Sequence, residues 1–271
     1  MVGLTALQGL ILGIIQGLTE FLPISSSGHL VLFEKLLDIQ KGGITFEIAV
    51  HLATLISVCI VLREEIISMM KKPFGKLTIL VVAGTIPTLV IGAAFNDLFE
   101  KIFESGVSLG FEFILTALVL WYAESARKGN KGLDAMTYGD AAVVGIAQGI
   151  AILPAVSRSG LTIAGALSRG LNRKFALKFS FLMSIPSILA AVAKDSYDIL
   201  KASGELGYGV ELLPLIAGMI AAAVSGYIAV RFMLKIFSRV SLKVFSYYVF
   251  ALGSLIIVDQ VFFGIFFEKL F

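Results

Sequence analysis

The chain has 271 residues, of which 58% are hydrophobic and 15% charged, with a mean hydropathy of +0.94 and a formal net charge of +3. A soluble domain would be nearer half apolar and a quarter charged, so the composition excludes a soluble globule and indicates an integral membrane protein. The net charge is too small to point to nucleic acid, which leaves membrane lipids as the expected surroundings, and the single Cys59 excludes an internal disulfide.

The first residues, Met1 to Thr5, lack the basic stretch of a secretory leader, so no cleaved signal is expected. Residues 5–22 are predicted to form a helix that places Gln16 and Glu20 on one face, four residues apart. It breaks at Pro23, and a second helix is expected over 26–38, opening on the hydroxyls of Ser25, Ser26 and Ser27 with His29 just behind. Apolar tracts follow near 44–62, 77–95 and 107–123. A second short pair is expected at 138–153 and 157–170, then tracts near 175–193, 212–230 and 244–267. At ~1.5 Å per residue each tract approaches the ~30 Å hydrocarbon thickness. Lipid offers backbone groups no partner, so the expected fold is all-α, with six transmembrane helices and two helix-break-helix pairs.

The two pairs echo each other. Gly13-x-x-Gln16-Gly17 recurs as Gly145-x-x-Gln148-Gly149 and Ser27-Gly28 as Ser159-Gly160, both at an offset of 132, while Leu22-Pro23 recurs as Leu153-Pro154 at 131. Each half, 1–132 and 133–271, is therefore a short pair plus three spans, within a single membrane domain. Three is odd, so the second half enters the membrane from the opposite side: an inverted repeat, the logic of transporters whose sites lie near the midplane.

Charge placement agrees. Arg63, Lys71, Lys72, Lys76, Arg127, Lys128, Lys131, Arg169, Arg173, Lys174, Lys178, Arg231, Lys235, Arg239 and Lys243 fall on one side, 15 of the 22 basic residues. Lys35, Lys41, Lys101, Lys194, Lys201 and Lys269 fall on the other. The basic side is expected to be cytoplasmic. The pair at 138–170 starts and ends among basic residues, and 157–170 would reach only ~21 Å. A re-entrant hairpin is expected there, with Ser157, Arg158 and Ser159 at its tip inside the membrane. By the repeat, the first pair dips from the outer face and the two tips meet.

Ionisable groups within membrane segments mark functional sites, because burying them in hydrocarbon is costly. Arg158 presents a planar fork suited to phosphate or carboxylate. The hydroxyls of Ser157, Ser159 and Thr162 lie within a turn of it, and the start of the helix adds partial positive charge. Together they describe an anion cradle. Glu20 needs a cation, a metal or a proton, and with Gln16 it offers hard oxygens suited to Mg²⁺ or Ca²⁺. His29, three residues past Ser26, is placed for an imidazole beside a hydroxyl, the arrangement of covalent catalysis. Glu47 and His51 share a face near the outer end of the first span; there an entrance lining and a plain interhelical hydrogen bond stand about level. Gly92-Ala93-Ala94, Gly165-Ala166 and Gly218 to Gly226 are read as packing. The charges at Arg63 to Glu65 and Lys71-Lys72 are read as solvated loop ends.

Gln16-x-x-x-Glu20, the segment Pro23 to His29, and Pro154-Ala-Val-Ser-Arg-Ser-Gly-x-Thr162 resemble the paired motifs of the undecaprenyl-pyrophosphate phosphatase family, of the bacitracin-resistance type, over essentially the whole chain. The resemblance implies a membrane hydrolase that converts a polyprenyl pyrophosphate to the monophosphate and so recycles the lipid carrier of cell-wall precursors. Its site would open to the extracytoplasmic side of the plasma membrane, and its activity would use a divalent cation. By the family's pattern Glu20, Ser26, His29, Ser157, Arg158 and Thr162 are functional positions; Gln16 stands where Glu or Gln is accepted, and Ala155 where glycine is usual. In this reading Glu20, Ser26, His29 and Arg158 carry the chemistry, Ser25, Ser27, Ser157, Ser159 and Thr162 hold substrate, and Gln16 and Glu20 hold the metal. Serine and water both remain open as nucleophile, and Glu20 remains open as ligand or base. A transporter or flippase of a polyprenyl-phosphate lipid would use the same anion site. The sequence leaves the oligomeric state open, a homodimer included.

Overall fold

The computed structural model describes residues 4–39, 43–105, 107–125, 129–203 and 211–269. The expectations for Lys41, Arg127 and Lys128, and for the side chain of Lys101, lie outside the described residues. In chain order the helices are α1 (Ala6–Glu20), α2 (Ser26–Leu36), α3 (Gly43–Val61), α4 (Arg63–Lys71), α5 (Lys76–Ser105), α6 (Leu109–Ser125), α7 (Tyr138–Ile150), α8 (Arg158–Ser168), α9 (Arg173–Ser203), α10 (Leu212–Ile236) and α11 (Leu242–Val258). A π-helical turn, Asp259–Phe263, extends α11. Among the described residues there are no strands, only one bridge between Lys131 and Leu171.

All six apolar tracts are helices. Four are long and apolar enough to cross a membrane: Lys76–Phe95 of α5, Arg173–Lys201 of α9, α10, and Leu242–Phe263 along α11. α3 qualifies together with α4, from which it is bent by 78°. α6, with 17 residues, reaches about 25 Å at helical rise. The chain is thus an all-helical, multi-pass membrane protein. α4 corrects one expectation: Arg63 to Glu65 and Lys71 lie on a helix that ends just before Lys72, and Glu65 pairs with Lys178 of α9.

Both short pairs are built by the same local devices. Thr5 caps α1 and exchanges bonds with Gln8; Thr137 caps α7 and exchanges bonds with Asp140. Each reciprocal cap satisfies two amides that the first helical turn leaves free. Ser25 then accepts from the Gly28 amide at the start of α2, and Ser157 from the Gly160 amide at the start of α8. The breaks themselves differ, since positive φ falls on Ser25 (70°) in the first and on Ala155 (55°) in the second. Ala155 therefore adopts the left-handed conformation that glycine takes at less cost.

Packing exchanges the two halves. α1 lies against α10, and α7 lies against α5, while α6 and α11 pair with each other. The contacts are close because small residues face small residues: a Cβ on Gly13 would overlap the Gly218 carbonyl, and one on Gly145 would overlap the Gly84 carbonyl. In lipid there is no hydrophobic drive between helices, so such backbone approach supplies the dispersion and weak polar contacts that hold them.

At the far end of the second pair the buried Asp140 carboxylate accepts from the Thr137 amide (3.0 Å), Lys131 Nζ (3.0 Å) and Arg169 Nε (2.9 Å). It thereby ties the start of α7 to the end of α8, where Gly170, at φ 80°, closes the helix. Asp140→Ala removes the reciprocal bond to the Thr137 amide and both ion pairs together. A loss of about 2 kcal/mol is expected, visible as a fall in melting temperature of the purified protein.

Candidate active site

Glu20 ends α1, and its carboxylate gathers side chains from four helices. Gln16 Nε2 donates to Oε2 (2.8 Å) from one turn back, and Ser26 Oγ donates to the same oxygen (2.6 Å) from the first turn of α2. The Arg158 guanidinium, at the start of α8, pairs with Oε1. His51 Nε2, on α3, stands 3.8 Å from Oε2, with its Nδ1 donating to the Glu47 carbonyl. The two breaks are also stitched directly. The Ala155 amide donates to Ser27 Oγ (3.3 Å), and Ser159 Oγ donates to the Leu22 carbonyl (2.8 Å). The carboxylate of one pair thus meets the guanidinium of the other, as the sequence led us to expect.

Two residues are placed otherwise. His29 does not meet Ser26, whose hydroxyl is taken by Glu20. Its Nδ1 lies 2.6 Å from the Ser25 carbonyl, which can only accept, so Nδ1 carries the proton and Nε2 accepts from the Tyr248 hydroxyl (2.8 Å). The ring is stacked on Tyr248 and meets Phe113 edge-on. Thr162 faces away from Arg158's head: its hydroxyl bonds the Arg158 carbonyl (2.8 Å) and Ser180 Oγ (2.6 Å), joining α8 to α9. The reason is local bonding: the Ser25 carbonyl and Tyr248 take the His29 ring, and the Arg158 carbonyl and Ser180 take the Thr162 hydroxyl.

A cavity of about 770 Å³ opens beside this junction. Glu20, Ser25, Ser26, Ser27, Ser157, Arg158 and Ser159 line one end; Leu89, Ala93, Ile152, Ile188 and Val192 form an apolar wall. Gly92 and Ala93, read from sequence as packing, line this wall instead. Glu47, His51, Lys194 and Asp195 also border it, and His51 in addition meets Glu20 across helices.

Sequence reasoning passed over Thr88, Gln148 and Ser187. Gln148 Nε2 donates to Thr88 Oγ1 (3.2 Å) and Ser187 Oγ (2.6 Å), and all three line the cavity. The signals were present: Gln148 repeats Gln16, and each hydroxyl directly follows a proline inside a span, Pro87 and Pro186. The amide oxygens of Gln16 and Gln148 are buried, and neither has a partner among the described residues. The carboxylates of the lining, Glu20, Glu47 and Asp195, outnumber its lysine and arginine, Lys194 and Arg158, by one.

A family model described as bacitracin resistance protein BacA matches residues 9–255. The chain is 52% identical over 257 residues to an undecaprenyl-diphosphatase of Carboxydothermus hydrogenoformans, covering 95% of this chain and 98% of that protein. It is 45% identical over 254 residues to undecaprenyl-diphosphatase 4 of Bacillus cereus, covering 94% and 97%. To an undecaprenyl-diphosphatase of Halothermothrix orenii it is 44% identical over 249 residues, covering 91% and 95%.

Proposed function

The chain belongs to the bacitracin resistance protein family, and from that premise we propose that it hydrolyses undecaprenyl diphosphate, or a close polyprenyl relative, to the monophosphate and inorganic phosphate. The observation that carries this is the junction of Arg158, Glu20 and Ser26 at the polar end of a cavity whose other wall is apolar. A prenyl diphosphate has the same two-part character.

The diphosphate docks on Arg158 and the start of α8, where a fixed fork and the helix's positive end both favour an anion. The first prenyl units lie along Leu89, Ile152 and Ile188. As the guanidinium turns to phosphate, Glu20 gives up its cation and becomes a base for the Ser26 hydroxyl, which it already holds at 2.6 Å. Ser26 Oγ attacks the terminal phosphorus, its proton passes to Glu20, and the bridging P–O bond breaks to release the lipid monophosphate. Water then cleaves the phosphoserine. Positioning and charge neutralisation supply most of the rate in such transfers. Ser25, Ser27, Ser157 and Ser159 shape the cradle, while His29 and Thr162 act by holding it in place.

The residues present fit a divalent cation. Gln16 Oε1 is a buried acceptor without a donor among the described residues; the amide nitrogen is the atom bonded to Glu20, so the amide would turn over for both residues to present oxygen to one ion. The negative excess in the lining leaves a diphosphate under-neutralised. A Mg²⁺ or Ca²⁺ ion held by Gln16 and Glu20 would supply that missing positive charge, with Glu20 then serving as its ligand in place of the base role.

In this reading α1–α2 and α7–α8 are re-entrant hairpins entering from opposite faces. With six spans they make one membrane domain of two inverted repeats, 1–132 and 133–271. The matched caps and the exchange of α1 and α7 onto the other half support it. The cavity opens to the extracytoplasmic side, because its rim residues Lys194 and Asp195 lie about 24 Å of helix beyond the basic cluster Arg173 to Lys178 that starts α9.

Phosphate release from undecaprenyl diphosphate by the purified chain in detergent, without any gradient, tests the function. Release is expected, and a chelator should suppress it. Tight lipid binding with no release would overturn the hydrolase in favour of a carrier.

A further inference from the structure

The mechanism leaves one polar group of the large cavity unused: Thr88 of α5, Gln148 of α7 and Ser187 of α9. Gln148 Nε2 donates to both hydroxyls, at 3.2 and 2.6 Å, and so ties α5 to α9 through α7. Pro87 and Pro186 stand immediately before the two hydroxyls. A proline inside a helix removes one backbone bond and weakens that turn, so each outer segment can tilt beyond the tie. There the residues that border the cavity are small: Gly92 and Ala93 on α5, Ala190 and Ala191 on α9. The cavity therefore parts the two helices above the point where Gln148 joins them. Both edges of the gap lie at one depth. Ala93 is 17 residues past Lys76 and Ala190 is 17 past Arg173, about 26 Å of helix from the basic face in each case and still within the ~30 Å hydrocarbon layer. Ala93 also falls in helical register with Val82, Ile86 and Leu89, an exposed apolar stripe of α5 whose last two members border the cavity. One helix face thus runs without interruption from the bilayer into the cavity.

The substrate's two-part chemistry requires such a gap. A lipid whose diphosphate sits on Arg158 keeps most of its tail in the membrane, and that tail must cross the ring of helices at some point. We infer that the gap between α5 and α9, from the Gln148 tie up to the rim at Lys194, is the lateral mouth by which the prenyl tail passes from cavity to bilayer, with Ala93 and Ala190 as its two lips. The tie holds the base of the mouth closed and keeps lipid from the polar junction. Above it the proline-weakened segments give way as a tail slides in, and the small side chains leave width for a methyl-branched chain. The lips meet only the tail, so they are specificity-determining residues: they decide which chains are accepted and leave the phosphate chemistry alone.

The inference rests on the hydrolase reading. With the full purified chain in detergent, phosphate release is compared for undecaprenyl diphosphate and for farnesyl diphosphate, whose short tail does not need the mouth. Ala93→Phe and Ala190→Phe should each lower kcat/KM for the long substrate roughly tenfold or more, and change that for the short one less than about twofold. To keep folding out of the comparison, Ala190→Cys in a Cys59→Ala chain is alkylated after purification with a bulky maleimide, and the same selective loss is expected. For the alkylated protein, equal loss on both substrates or undiminished turnover of the long one would overturn the mouth, and so would a wild-type chain that cleaves only the long one. Absence of phosphate release from either substrate by the wild-type chain would instead overturn the hydrolase reading, so the two failures are distinguishable.

Discussion

Arg158→Lys should lower kcat/KM for the polyprenyl diphosphate by about a hundredfold or more, while the protein still folds. Lysine keeps the charge but replaces a planar fork by a compact ammonium, so it can meet the Glu20 carboxylate or a phosphate oxygen but cannot grip both edges of a phosphate. Removing one well-placed donor from a transition-state cradle costs about 3 to 4 kcal/mol, which sets the magnitude. Arg158→Ala should do more, because it also leaves Glu20 buried beside Gln16 without its cation, a loss of about 3 to 5 kcal/mol in stability. The comparison therefore separates chemistry from folding: steady-state kinetics should report the lysine variant as inactive, and thermal melting should report only the alanine variant as weakened. Near-wild-type turnover by Arg158→Lys would contradict the clamp.

Gly145→Leu should prevent accumulation of folded protein. Its Cβ would fall within the Gly84 carbonyl, and the backbone of α5 cannot move away without breaking the Thr88 hydroxyl's bond to the Gly145 carbonyl (2.9 Å). Overpacking side chain against side chain costs about 1 to 3 kcal/mol, and backbone against backbone leaves fewer ways to relax. A total stability of about 5 to 15 kcal/mol tolerates little of this. Gly13→Leu should fail in the same way against Gly218. Gly139→Ala is the control: its Cβ meets nothing nearer than the Thr137 hydroxyl, at 3.8 Å, and alanine is the better helix former. Yield from membranes and melting temperature in detergent check all three.

The six apolar tracts and both breaks were readable along the chain: a long apolar run in lipid must be helical, and the serine-rich runs that follow Pro23 and Pro154 mark discontinuities. The meeting of Arg158 with Glu20 was readable because each is an expensive charge that needs the other. What could not be read is which helix lies against which. In a membrane the faces turned to lipid and to protein are both apolar, so the pairing of α1 with α10 and of α7 with α5 left its trace only in glycine spacing. The bond from His29 to Tyr248, 219 positions apart, has no local signature at all. Glu112 meets the same criterion that marks Glu20, with Ser108 and Thr116 four residues to either side, yet no repeat or motif singles it out.

The seating of α1 on α10 also bears on how the protein is made. Gly13 and Gly218 are 205 residues apart, so at ribosomal rates of ~5 to 20 residues per second the first helix waits roughly 10 to 40 s for its partner to be synthesised. During that interval a short helix ending in a carboxylate has neither its packing surface nor its guanidinium. The nascent chain must therefore be sheltered by the insertion machinery until its last third emerges, and a truncated message would leave its opening segment without a home.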